Sequence, residues 1–444
     1  MRIIGPALAL LAALTGCPHG DQCSASLEKQ AVWADAQDWY LYLDLLPATV
    51  DPALYATPSD LLDAITATAR DQGMDRHWSF ITTQQATQQY YGDGQSVGFG
   101  IGLLVRGTAP ALQLFVSQVI PGAAAADAGF ARGDEILAIG PDDSHLTPVL
   151  SYLQSGNLGA LLPPPVAGEV RAFQVRPQAG ALVVRTVTTR VYDLMPVSSK
   201  VLNGVGYVGL RTFIGTAETQ LRAAFQAFQN ASVTGVVVDL RYNGGGLISI
   251  AEVLADLLGG GLAPQKMYDL QLNASHAAGD TATLFTAQAE AIASPKVAFI
   301  TTGASASASE LVVNVLDPYR TVALVGAKTY GKPVGQLTLD LPCGDVLFLI
   351  AFRLVNAVGH GGYYAGLPDG AGFTAPLCPA ADDLTQPQDA ATEASTAAAL
   401  YWLANGTCPP ALAAPGALVA PEAADAYPVS AAPTLAQRDV PGLF

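Results

Sequence analysis

The sequence is poor in histidine, lysine and charge. Of its 444 residues only five are His and six are Lys, and charged residues make up 13%. No two His fall within fifty positions of each other, which excludes a zinc helix bearing paired His. Basic residues are outnumbered 21 to 37, a net charge of −16. Nucleic acid and anionic lipid are therefore excluded as partners held by bulk charge. Cys is scarce too: there are five, none in CxxC spacing, which argues against a metal site. After the first segment, no apolar run approaches the roughly 18 residues of a membrane helix. Apolar residues, by contrast, are half of the chain. That is enough to fill sizeable cores, and the length suits about three domains.

The first segment reads as an export signal. Arg2 is a minimal positive region, and Ile3 to Leu14 is apolar but too short to span a bilayer. It ends in Leu14-Thr15-Gly16-Cys17, a tetrad that resembles the cleavage box of bacterial lipoproteins. The expectation is a signal at 1–16, with Cys17 lipidated as the first mature residue. Without Arg2 the mature chain carries −17, so attachment rests on acyl chains rather than charge. Pro18 tilts the expectation toward the outer membrane and a periplasm-facing protein. The remaining Cys23, Cys343, Cys378 and Cys408 allow up to two disulfides in three pairings.

Residues 17–93 read as helical. Ala31 to Leu46 is rich in Trp, Tyr and Leu up to Pro47, and Pro58-Ser59-Asp60 opens a second helix. Trp33, Trp39 and Trp78 are expected in a core or a domain contact. From Ser96 the pattern changes: Gly alternates with apolar residues through Leu103, then Leu112 to Val119 reads as a strand. Pro121-Gly122 leads into a short Ala helix closed by Gly129, and Arg132-Gly133-Asp134 turns into another strand. Pro163 to Pro165 mark a loop. From Asp193 on, strands alternate with helices, among them Val233–Leu240 and Ile248–Leu258. Thr216 is the expected cap of a helix carrying Leu221, Phe225 and Phe228. The Ala/Pro-rich tail, 411–444, lacks periodicity and is expected to be irregular.

Two nucleotide motifs are decoys. Gly204-Val-Gly206-Tyr-Val-Gly209 satisfies GxGxxG but lies within an apolar strand, not between a strand and a helix. Gly326-Ala-Lys-Thr-Tyr-Gly331-Lys332 satisfies GxxxxGK, but Pro333 stands where Ser or Thr would hold magnesium. No cofactor is expected.

The chemistry concentrates at Thr301-Thr302-Gly303-Ala304-Ser305-Ala306-Ser307-Ala308-Ser309-Glu310. A strand ends, small residues follow, and a helix begins. Small residues admit a ligand to the backbone, and free N–H groups at a helix start suit an oxyanion. A Ser there is a candidate nucleophile. Downstream comes Thr329-Tyr330-Gly331-Lys332-Pro333-Val334-Gly335-Gln336; upstream stands Asp239-Leu240-Arg241-Tyr242-Asn243-Gly244-Gly245-Gly246.

These three motifs, in this order, resemble the carboxy-terminal processing (tail-specific) proteases. The likeness runs from Tyr40 to about residue 403. It implies Ser307 as nucleophile, Lys332 as general base and Gln336 as the group orienting its amine. It implies oxyanion donors on the N–H of Ala308 and of Gly246, with Gly245 as the alternative. The stretch after Ser96 resembles a PDZ domain of the bacterial protease type. That assigns a peptide's terminal carboxylate to the loop Val97-Gly98-Phe99-Gly100 and the peptide itself to an adjacent strand edge. Pro333 replaces the family's usual Gly, the Asp317-Pro318 helix stop comes one residue early, and 259–295 is individual.

The physics allows this chemistry. Free Lys is neutral in fewer than about one molecule in a thousand at pH 7, and burial lowers its pKa by about 3–5 units. Lys332 has few charged neighbours in sequence. Its rivals as base are Lys328 and, as part of a Ser-His-Asp triad, His360, with His276 the other His of the core.

The expected fold is α/β within a multidomain α+β chain. It comprises a helical N-terminal region (17–93), a PDZ-like β domain (94–192) and a ClpP/crotonase-like α/β peptidase core (193–410). The expected activity is that of an exported serine endopeptidase acting on proteins with an apolar free C-terminus. Its expected partners are those substrates, a membrane reached through the lipid, and an adaptor protein or further copies of itself. Two alternatives stand: a non-catalytic binder of peptides or apolar ligands on the same fold, and an acyl-CoA enzyme sharing the crotonase architecture.

Overall fold

The computed structural model describes residues 23–162, 166–293, 296–410 and 433–444. The signal at 1–16, Cys17 and Pro163 to Pro165 lie outside the described residues, as does the tail from 411 to 432.

A six-stranded sheet forms the heart of the C-terminal half. Its order is Val197–Leu202, Val205–Leu210, Gly235–Asp239, Lys296–Thr301, Val322–Gly326 and Leu377–Pro379. The first pair is antiparallel and the rest are parallel. Because side chains alternate across a strand, each apolar run serves two cores. Val236 and Val238 face the helices Ala217–Asn230, Ile248–Leu258 and Ala308–Leu316, whereas Val237 faces Ala394–Asn405. A Cys378–Cys408 disulfide ties the last strand to the end of that last helix.

A second sheet is built around the long strand Asp345–Asn356. Val334–Asp340 pairs along one edge, and Phe80–Thr83 and Lys266–Leu272 share the other. The N-terminal helices Ala25–Trp39 and Pro58–Ile65 pack on it through Val32, Ala36, Leu61 and Leu62. Cys23–Cys343 fastens the first helix to the turn preceding the long strand.

The N-terminal region differs from a purely helical reading. The first helix stops at Trp39, well before Pro47, because the Leu41 N–H is drawn to Ile350 O at 2.9 Å in the sheet. Phe80–Thr83, rich in β-branched residues, is an edge strand of that sheet.

A third, antiparallel sheet is formed by Ile101–Arg106, Gln113–Val119, Glu135–Gly140, Val170–Arg176 and Val183–Thr188. Gln95–Gly98 pairs with Arg190–Asp193 at its base. The short helix Ala124–Asp127 covers one end. Two further expectations are corrected. Thr216 does not cap its helix: its backbone is already helical and its hydroxyl makes no cap bond. The segment 434–444 is not irregular but a capped helix, Leu435–Asp439, running into a strand-like stretch. A five-residue helix shows no apolar period; this one is held by tertiary contacts.

Candidate active site

Three turns meet at the C-terminal ends of the parallel strands. The first follows Gly235–Asp239. Arg241 is buried, and its guanidinium is shared by Asp239, Asp382 and Glu393. Asp382 also accepts from Tyr242 and from Arg132 of the β domain. The residue before the glycine turn is thus tied to the β domain. Asn243 then builds the turn: its amide donates to Leu210 O at 2.8 Å, and its Oδ1 accepts from the Gly245 N–H at 2.9 Å. Gly246 has φ of +130°, and a Cβ there would lie 2.3 Å from Phe213 O, so only glycine fits.

The second turn joins Lys296–Thr301 to the helix Ala308–Leu316. The structure distinguishes its three serines. Ser305 and Ser309 are fully buried and donate to Leu240 O at 2.8 Å and Asn243 O at 2.9 Å. Both are spent on the glycine turn. Ser307 is partly accessible and sits at φ of +54°, uncommon for a residue with a Cβ. Gly245 backs onto it: a Cβ at 245 would lie 2.9 Å from Ser307 Cβ and 3.2 Å from the Ala308 nitrogen. Among the described residues, the N–H groups of Ala308 and Gly246 donate to no partner.

The third turn carries Lys332. It is held to the second by Glu310, which is fully buried. Glu310 Oε2 accepts from the Ser307 N–H at 2.9 Å and the Lys332 N–H at 2.8 Å. Its Oε1 accepts from Thr329 Oγ1 at 2.5 Å and the Gly331 N–H at 2.7 Å. Burial pushes this carboxyl up, and the four donors pull it back. The Lys332 amine donates to Gln336 Oε1 at 2.7 Å; the Gln336 amide donates to Trp78 O at 2.6 Å. Burial pushes the amine down to about 8, opposed by the carboxylates of Asp439 and Asp75. Among the described residues, no hydrogen bond joins Ser307 Oγ to Lys332 Nζ.

Ser307, Ala308, Lys332, Gln336 and the glycine turn are therefore neighbours. His360 is elsewhere, bonded to Asn314 at 2.7 Å and Asp369 at 2.9 Å. Asn314 lies seven residues along the helix from Ser307, about 10 Å at 1.5 Å per residue. His276 stacks on Trp39. Lys328 is half-buried outside this cluster. Val97, Gly98 and Phe99 stand apart, lining a groove of the β domain; Gly100 follows them in the loop at φ of +73° but does not line it. Two contributors are not among the expected site residues: Trp78, expected only in a core or domain contact, whose carbonyl braces Gln336, and Glu310. The signal for Glu310 was present, because a Glu three residues after a helix-capping Ser is the capping-box spacing.

Residues 204–364 match Peptidase family S41, and residues 28–80 match the Peptidase S41 N-terminal domain. A carboxyl-terminal-processing protease of Synechocystis sp. is 25% identical over 303 residues, covering 67% of each chain. One from Picosynechococcus sp. is 27% identical over 278 residues, covering 59% of this chain and 61% of the relative. The chain thus spans about two thirds of the length of these relatives. A crystal structure from Bacteroides fragilis, described as an S41 protease, superposes with a TM-score of 0.65 at 23% identity. It covers 88% of this chain and 100% of that one, and it shares the fold. The chain thus carries the two domains characteristic of peptidase family S41 and is similar to the carboxyl-terminal-processing proteases.

Proposed function

We propose that the chain is an exported serine endopeptidase that recognises protein substrates by an apolar free C-terminus. Ser307 Oγ attacks the peptide carbonyl, and Lys332 Nζ takes its proton. The C–N bond then breaks, and Lys332 returns the proton to the leaving amine. Water hydrolyses the acyl-enzyme by the same route. The Ala308 and Gly246 N–H groups receive the oxyanion. The carrying observation is Glu310 Oε2, which accepts from the N–H groups of both Ser307 and Lys332. For attack, the amine must turn from Gln336 toward Ser307, a tightening common when a substrate binds.

The disulfides Cys23–Cys343 and Cys378–Cys408 support an oxidising compartment. A lipid on Cys17 would hold the protein at a membrane facing it. The groove at Val97 to Phe99 would take the substrate's end, and an adaptor or second copy would act through this same domain.

The test uses the chain from residue 18 and an unstructured protein ending in apolar residues. Cleavage is expected, and amidating the substrate's C-terminus should lower it by about ten-fold, as for a lost charge-assisted contact. Cleavage indifferent to amidation would remove tail recognition. Tight binding without cleavage would favour the binding-protein reading.

A pH dependence follows. Lys332 accepts a proton only when neutral, so kcat/KM should rise with pH through an inflection near 8 and level off above it. A free Lys would place that inflection at about 10.4. A rate profile between about pH 6 and 10 that is flat, or that inflects only near 10, would contradict Lys332 as a buried base.

A further inference from the structure

The segment Thr434–Phe444 joins the two places where a substrate would lie. Its helix is closed by a capping box between Thr434 and Gln437. Leu435, Ala436, Val440 and Leu443 are buried in one cluster with Tyr90, Ile120, Tyr192 and Ile214. Beyond the helix, the chain lies antiparallel to the edge of Ile101–Arg106. The Leu103 N–H donates to Gly442 O at 2.8 Å, the Phe444 N–H to Ile101 O at 2.8 Å, and the Ile101 N–H to Phe444 O at 2.9 Å. This is strand addition. Phe444 is buried with Phe99 and Ile101, and a Cβ on Gly98 would lie 2.9 Å from its carbonyl carbon. Leu443 and Phe444 thus already lie against Val97 to Phe99 and form one wall of that groove.

The other end of the segment reaches the catalytic turns. The Gly244 N–H donates to Asp439 O at 2.6 Å, and a Cβ on Gly244 would lie 2.8 Å from Arg438 O. The Arg438 guanidinium lies 3.8 Å from the Phe80 ring centroid and donates to His77 O at 3.2 Å. The Asp439 side chain is buried beside Lys332. Four groups bear on that amine: Asp439 from this segment, Asp75 from the N-terminal region, Glu310 from the nucleophile helix, and Arg438. Asp439 is the largest of the charges that favour the ammonium form, in which Lys332 is no base.

We propose that residues 434–444 are a resident occupant of the substrate path, which a substrate's tail must displace from both the β-domain groove and the glycine turn. The inference rests on the peptidase reading and gives that site its regulation: the protein holds itself closed with a peptide built like its own ligand, a large apolar residue laid beside the edge strand. An occupant tethered in the same chain competes at high effective concentration, so it lowers apparent affinity for anything arriving from solution.

Two variants test it. One lacks residues 434–444. The other keeps the helix but carries Leu443→Asp and Phe444→Asp. Each is assayed for cleavage of the unstructured substrate, and for binding of a fluorescent peptide of sequence 434–444 by anisotropy, with circular dichroism as the check on folding. Both variants should bind the peptide at least ten-fold more tightly than the full chain. Both should raise kcat/KM on the order of ten-fold, mainly through KM. Added peptide should inhibit the shortened form competitively. Equal peptide binding by full and shortened chains would overturn the proposal, as would unchanged or lower cleavage by variants that fold. Unfolding of both variants would make the segment a structural brace and would also overturn it. If no form cleaves, the peptidase reading fails, and peptide binding confined to the variants still upholds the occupancy.

Discussion

Ser307→Ala is expected to lower kcat/KM by at least about 10³-fold, a loss of roughly 4 kcal/mol in transition-state stabilisation. Lys332→Ala should cost about the same, and the double variant no more than either alone. The reason is chemical: a hydroxyl that cannot lose its proton is a poor nucleophile, and an amine with no hydroxyl to act on has no task. Non-additivity distinguishes a working pair from two residues that merely share a pocket. Ser305→Ala and Ser309→Ala form the internal control. Their hydroxyls are bonded to Leu240 O and Asn243 O, so they should lose stability rather than the chemical step. The measurement is steady-state cleavage by the three single serine variants, Lys332→Ala and the Ser307/Lys332 double, each with its thermal midpoint. Multiplicative losses in the double variant would show that Ser307 and Lys332 act separately.

The sequence was most readable where the physics is local. Ile248–Leu258 has the helical period and ends at Gly259, and the helix runs over those residues. Gly235–Asp239 is an unbroken buried run, as a parallel strand with helices on both faces must be. The serine and lysine motifs were visible through their order and spacing together with the glycine turn, since a run of small residues before a helix is by itself a common capping segment. What the sequence did not reveal depends on distant partners. Arg241 finds Asp382 and Glu393 far along the chain, and no spacing rule links them. The Leu41 N–H is taken by Ile350, so the first helix ends without a local stop signal. The segment 434–444 has too few residues for a period and is ordered by Tyr90, Ile120 and Ile101, all more than three hundred positions away. The same limit hid Trp78 as a brace, because its contribution is a carbonyl, which any residue carries.

Glu310 is where local and distant order meet, and its removal should have the second-largest effect. Glu310→Ala leaves four donors without their acceptor: the N–H groups of Ser307, Gly331 and Lys332 and the Thr329 hydroxyl. Each buried orphan costs about 1–3 kcal/mol, so a loss above roughly 3 kcal/mol is expected and the variant should be poorly folded. Glu310→Gln is the informative substitution. It keeps the shape and one acceptor oxygen but turns an NH₂ toward one of the two donor pairs. The Ser307 and Lys332 turns then lose their shared acceptor or the bracing beside it. We expect kcat to fall by at least about ten-fold with KM little changed, because the loss falls on alignment in the transition state. A second readout separates positioning from mere stability. The Glu310 carboxylate favours the Lys332 ammonium, so its neutralisation should move the pH–rate inflection below the value near 8 of the parent protein. A purely structural Glu310 would lower the thermal midpoint and leave both kcat and the inflection in place. That pattern, measured on folded Glu310→Gln, would show that the two turns keep their register without the carboxylate, and the shared acceptor would no longer explain how a serine and a lysine 25 residues apart are brought together.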